Sequence, residues 1–152
     1  MASGTFTLFS KNKDDLRIND LIGATVKVAL VSSAWTPDAS VTGNSVWADM
    51  SANEIAAGNG YTAGGAALAS MVATAISGGH KFSSASPSWS ASGGNIPAWR
   101  YAVIYVVGTL WGMTNPVIGY FVGDNTPADI PATTSGNSLT INTPAGGWFD
   151  VV

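Results

Sequence analysis

The sequence predicts a mainly β chain: an antiparallel sandwich or barrel-like body with one or two short helices. Three observations predict it. Two β-branched, aromatic-rich runs, at 99–107 (WRYAVIYVV) and 116–123 (PVIGYFVG), flank a short Gly/Asn segment, the pattern of two adjacent buried antiparallel strands. Further short β-rich runs bring the total to about seven or eight, spaced near ten residues apart, as in sandwiches and barrels. Clusters of Gly, Pro, Ser and Asn bracket the runs at strand length.

In chain order, the first element is an amphipathic helix expected over about residues 11–21. Ser10 serves as its N-cap, Asp14 and Asp15 lie near the positive end of the dipole, and Leu16, Ile18, Leu21 and Ile22 form its apolar stripe before Gly23 ends it. Residues 25–31 alternate around Lys27 and read as the first strong strand, with Val26, Val28 and Leu30 on one face. Residues 32–46 are a loop, with Trp35 placed to pin it to the body. Ser51-Ala52-Asn53-Glu54 matches a capping box for a single helical turn ending at Gly58. Residues 59–65 (NGYTAGG) form a bend that needs unusual backbone angles. Residues 67–74 then read as an uncharged strand. Residues 80–85 and 88–92 are expected to pair as a hairpin around Pro87, with a Ser-rich outward face. Residues 124–137 are a long loop, 138–143 a cleanly alternating strand, and 148–152 a terminal strand. No repeat or linker divides the chain. It reads as one β-rich domain over 1–152, with an N-terminal arm and short helix at 1–23 and the sandwich at 24–152.

Composition limits the function. Hydrophobic residues make up 46% and charged residues 10% of the 152 residues, against roughly 25% charged in ordinary globular chains. A surface so poor in charge favours a protein that lives against partners, and its six tryptophans suit interfaces. Trp35, Trp47, Trp89, Arg100 and Trp148 are the candidate interface residues. Nucleic acid is not an expected partner: the net charge is −3, and the one basic cluster, Lys11, Lys13 and Arg17, is interrupted by Asp14 and Asp15. The first residues, Met1-Ala2-Ser3-Gly4-Thr5-Phe6, lack the basic and apolar regions of a signal peptide. The apolar run 101–113 is broken by Gly108 and Gly112 and is shorter than a membrane helix. Synthesis in a cytoplasm, without a membrane anchor, is the expectation.

No catalytic, cofactor-binding or metal site is expected. His80 is the one histidine, and no G-x-S-x-G elbow accompanies it. The absence of cysteine removes disulfides and thiolate metal ligands. Asp124 and Asp129 lack EF-hand spacing, and an Asx-turn accounts for Asp124. Asp14–Asp15 and Asp49 with Glu54 sit where helix starts would use them. The glycines at 58–65 match neither phosphate-loop pattern. Arg100, alone in its hydrophobic strand, calls for a carboxylate such as Asp49 or Glu54, or for a contact with another subunit.

Residues 51–55 (SANEI), 60–68 (GYTAGGAAL), 99–105 (WRYAVIY) and 116–121 (PVIGYF) together resemble small structural proteins of tailed-bacteriophage virions. The likeness runs over roughly residues 25–150, and Trp99 stands where that pattern carries Ala before the Arg-Tyr pair. The resemblance implies a role and no catalytic residue: a head-decoration (cement) subunit in a virion, bound to the major capsid protein or other virion proteins. Lattice symmetry makes closed homo-oligomers, trimers foremost, the expected form. The alternative is a tail-fibre or neck-associated receptor- or carbohydrate-binding module, using the tryptophans around residues 35, 47 and 89 as stacking platforms.

Overall fold

The computed structural model describes residues 4–126 and 128–152. Residues 1–3, on which part of the signal-peptide reading rests, and Pro127 in the 124–137 loop lie outside the described residues. In chain order the strands are β1 (Thr7–Leu8), β2 (Thr25–Val31), β3 (Ala66–Ala67), β4 (Val72–Ile76), β5 (Gly79–Ser83), β6 (Ser88–Ser90), β7 (Tyr101–Val107), β8 (Thr109–Leu110), β9 (Met113–Thr114), β10 (Val117–Val122), β11 (Ser138–Thr140) and β12 (Phe149–Val151). Helix α1 (Ile18–Ile22) lies between β1 and β2, and 3-10 turns occupy Ser10–Asn12, Trp47–Asp49 and Ser51–Asn53.

The molecule is mainly β and sandwich-like. Its principal sheet has the order β1-β10-β7-β2-β3, every neighbouring pair antiparallel. Its edge strands β1 and β3 do not pair with each other, so no barrel closes. The predicted partnership of the two strongest runs is present as β7 and β10, with a register shift between Val117 and Gly119. The connection between them contains a small hairpin, β8–β9, turning at Trp111 and Gly112 with φ of 53° and 72°. Two consecutive positive φ values are what a tight type I′ turn requires.

Alternation along the central strands sends side chains into two separate cores. Val26, Val28 and Leu30 of β2 and Ala102, Ile104 and Val106 of β7 face a large cluster with Phe82, Trp89, Ile96, Ile141, Trp148 and Phe149. Smaller sheets cover this face: β12-β5-β4, and the β6–β11 pair. Ala29 and Val31 of β2 and Val103 and Tyr105 of β7 face the opposite way, where Phe9, Trp35, Met50 and Val117 pack on them. Here the loop after β2 and the segment after β1 form the cover. Burying each such Val, Leu, Ile or Phe stabilises the fold by roughly 1.5–3 kcal/mol, so both covers hold tightly.

Several local expectations give way to long-range contacts. The helix expected over 11–21 is two pieces: the 3-10 turn Ser10–Asn12, whose N-cap residue is Phe9, and the five-residue α1, whose N-cap residue is Arg17. Buried Asn12 donates from Nδ2 to the carbonyls of Ser45 and Val117, both at 2.7 Å, which draws the turn inward and ends the helix early. Ser51 does not cap; the side chain of Glu54 turns away to other partners. The strand expected over 67–74 is split between β3 and β4, because Ser70 takes a φ of 51°. The hairpin expected between 80–85 and 88–92 does not form: β5 pairs with β4 and β12, and β6 pairs with β11. Strand β2, the Trp35 loop and the positive-φ bend at 58–65 match expectation.

Candidate functional site

The five candidate interface residues do not form one patch. Trp35 and Trp47 belong to the aromatic cover on the second face of the principal sheet. Trp35 is buried, edge-on to Tyr101 (5.2 Å) and Tyr120 (5.6 Å), and Trp47 stacks on Tyr105 at 4.6 Å with 9° between planes. Trp89 and Trp148 lie in the other core, against Tyr61 (5.7 Å) and Phe121 (6.2 Å). The Trp148 indole N–H donates to Ser84 Oγ at 2.9 Å, whereas those of Trp89 and Trp99 have no protein acceptor among the described residues. Arg100 pairs with Asp129, Nε to Oδ1 at 2.7 Å, and with neither Asp49 nor Glu54. Asp129 arrives through the loop that bridges back to Trp99 at Ile130, a partner invisible to local reading.

A polar network ties the bend at 58–65 to β2. Strand β3 pairs with Lys27 and Val28 only, leaving the Leu30 amide beyond its end. The Tyr61 hydroxyl accepts from Leu30 N (2.9 Å) and donates to Glu54 Oε1 (2.8 Å). The same carboxylate oxygen accepts from Gly64 N (2.6 Å), and Tyr105 Oη donates to the Gly64 carbonyl (2.8 Å). Gly65, at φ 78°, sits so close that a Cβ there would overlap the Val28 carbonyl oxygen. Burial first, then the nearby Glu54 charge, pushes the Tyr105 phenol up to about 12; burial likewise lifts Tyr61 well above the ordinary phenol range. Both phenols are therefore neutral donors at physiological pH. They anchor a loop, and neither has the low pKa that a nucleophile or base needs.

Other titratable groups stand apart. His80 is exposed on β5, opposite Ala75 and Val151. Asp124 accepts from the Thr126 hydroxyl (2.8 Å) and amide (3.0 Å), an Asx-type turn that holds its carboxyl below the usual range. No group of three His, Asp or Glu residues converges as metal ligands among the described residues. No helix there is long and apolar enough to cross a membrane.

Two surface features stand out among the described residues. One is a cleft of about 300 Å³ walled by Phe6, Trp99, Phe121, Ile130, Ile141 and Trp148. The other is the free edge of β4, where Val72 and Thr74 are exposed. Sequence reading missed this edge; its signal was the uncharged alternation after the glycine bend. No protein-family model matches the chain, and no curated protein or solved structure matches it significantly.

Proposed function

We propose that this chain is a structural subunit of a larger particle, a head-decoration (cement) protein of a tailed bacteriophage, held on the major capsid protein or another virion protein by protein–protein contacts. The observation that carries the reading is a doubly covered β core inside a charge-poor exterior, with six basic and nine acidic residues in 152. Such a body is stiff, and its neutral surface is inexpensive to desolvate against a neighbour. The resemblance of residues 51–55, 60–68, 99–105 and 116–121 to small tailed-phage virion proteins supports the same class. On a symmetric lattice, contacts that are individually weak hold through multivalency.

The carbohydrate-binding alternative draws less support. Trp35 and Trp89 are only 4% and 5% exposed, and Trp47 has one ring face occupied by Tyr105. Mass spectrometry of gradient-purified particles tests the proposal. The chain is expected in a fixed ratio to the major capsid protein, and its absence from particles that otherwise assemble overturns the reading.

A further inference from the structure

We propose that β4 is a self-association edge, on which a second copy of this chain adds its own β4 across a two-fold axis. Strand β4 bonds to β5 on one side. On its other side no backbone hydrogen bond is made by Val72 to Ile76 among the described residues. The register fixes which groups are free. Ile76 and Gly79 close a two-residue hairpin loop and form its hydrogen-bonded pair, so Val72, Thr74 and Ile76 point their amides and carbonyls at β5. Ala73 and Ala75 point theirs outward.

The edge lacks the sequence devices that blunt such strands: there is no charge, no proline and no bulge between Val72 and Ile76. It also fits itself. In an antiparallel pair centred on Thr74, Ala73 and Ala75 of one copy bond Ala75 and Ala73 of the other, which satisfies all their outward groups. Thr74 meets Thr74, and Val72 meets Ile76, both on the exposed face and both favourable cross-strand pairs. No like charges meet at the axis, and the other face of β4 carries only the small Ala73, half-buried beside α1, and the exposed Ala75. The result is one sheet of order β12-β5-β4-β4-β5-β12 through two copies. This isologous contact differs from the three-fold ring expected of a capsid lattice. It stands independently of the virion reading, since a chain absent from particles can still pair, and a monomeric one can still decorate a head.

The area is small, so the association is expected in the range of about 10 to 500 µM, below the size of a standard stable interface. Sedimentation velocity of the purified chain across that range is expected to show a concentration-dependent rise to twice the monomer mass. Ala75→Pro removes an outward N–H and leaves the β4–β5 bonds in place, and is expected to weaken association at least about tenfold. Thr74→Lys sets two ammonium groups face to face and is expected to do the same. Amide exchange on the wild-type chain gives a reading free of any variant: the Ala73 and Ala75 amides are expected to slow as concentration rises, while the exposed Gly93 amide does not. A wild-type chain that stays monomeric at the top of the range overturns the proposal. So does association that both variants leave intact, or exchange at Ala73 and Ala75 that ignores concentration.

Discussion

Replacing Tyr61 by Phe deletes one oxygen and keeps the ring that packs on Trp89. That oxygen accepts from the buried Leu30 amide and donates to Glu54. Leaving the amide without a partner costs about 1–3 kcal/mol, and losing the bond to the carboxylate about 1 kcal/mol more. Glu54 keeps its bond from Gly64 N, so no second group is orphaned. The sum is about 2–4 kcal/mol, and a chain of this size loses roughly 2–4 °C of melting temperature per kcal/mol. Thermal unfolding followed by circular dichroism should therefore show Tyr61→Phe melting roughly 4–16 °C below wild type. Glu54→Gln is the control: its amide oxygen still accepts from both Tyr61 and Gly64, and its expected cost is below about 1 kcal/mol. A Tyr61→Phe melt within about 1 °C of wild type, or a Glu54→Gln loss as large as that of Tyr61→Phe, would refute the reasoning, because the bridging hydroxyl would then not be what closes the sheet beyond β3.

Alkaline pH should destabilise the fold through the same region. Burial lifts the folded-state pKa of Tyr105 to about 12 and that of Tyr61 still higher, against about 10 in an unfolded chain. Their contribution is therefore complete below about pH 10 and is lost as pH rises through about 12; urea midpoints measured across that window should fall, and Tyr105→Phe should flatten the decline. Gly65→Ala should cost more than about 3 kcal/mol, combining positive φ with overlap on Val28, whereas Gly78→Ala, at φ 84° in open space, should cost about 1 kcal/mol; paired melts check the contrast. Arg100→Met should cost less than about 1 kcal/mol, because the Arg100 and Asp129 side chains are 26% and 41% exposed and water screens the pair; a double-mutant cycle with Asp129→Asn measures it.

The central strands were legible because each residue in them obeys the same rule twice. In β2 and β7, alternate positions serve two different cores, so nearly every position is apolar or aromatic and the runs stand out. What escaped reading depended on partners distant in sequence. Ser10 has the chemistry of a cap, but Asn12 is claimed by carbonyls of Ser45 and Val117. Ser51 and Glu54 have capping-box spacing, but Tyr61 offers the carboxylate a buried hydroxyl. The Ser-rich strand β6 seeks β11, whose Thr140 hydroxyl meets Ser88 Oγ at 2.9 Å, instead of its neighbour β5. The candidate interface tryptophans illustrate the same limit. Composition marks them as large aromatic anchors, while the fold turns Trp35, Trp89 and Trp148 onto the chain itself.

The ladder at the heart of the molecule joins Val31 to Tyr101 and Thr25 to Val107. Everything between those strands must be looped out before the first of these rungs can form. Topologies of this kind cross their folding barrier in milliseconds to seconds, well behind helical bundles of equal stability. A backbone cut in the segment bearing Trp35 and Trp47 would leave the two pieces paired along β2 and β7. During synthesis, nothing durable can lock until the ribosome has delivered β7.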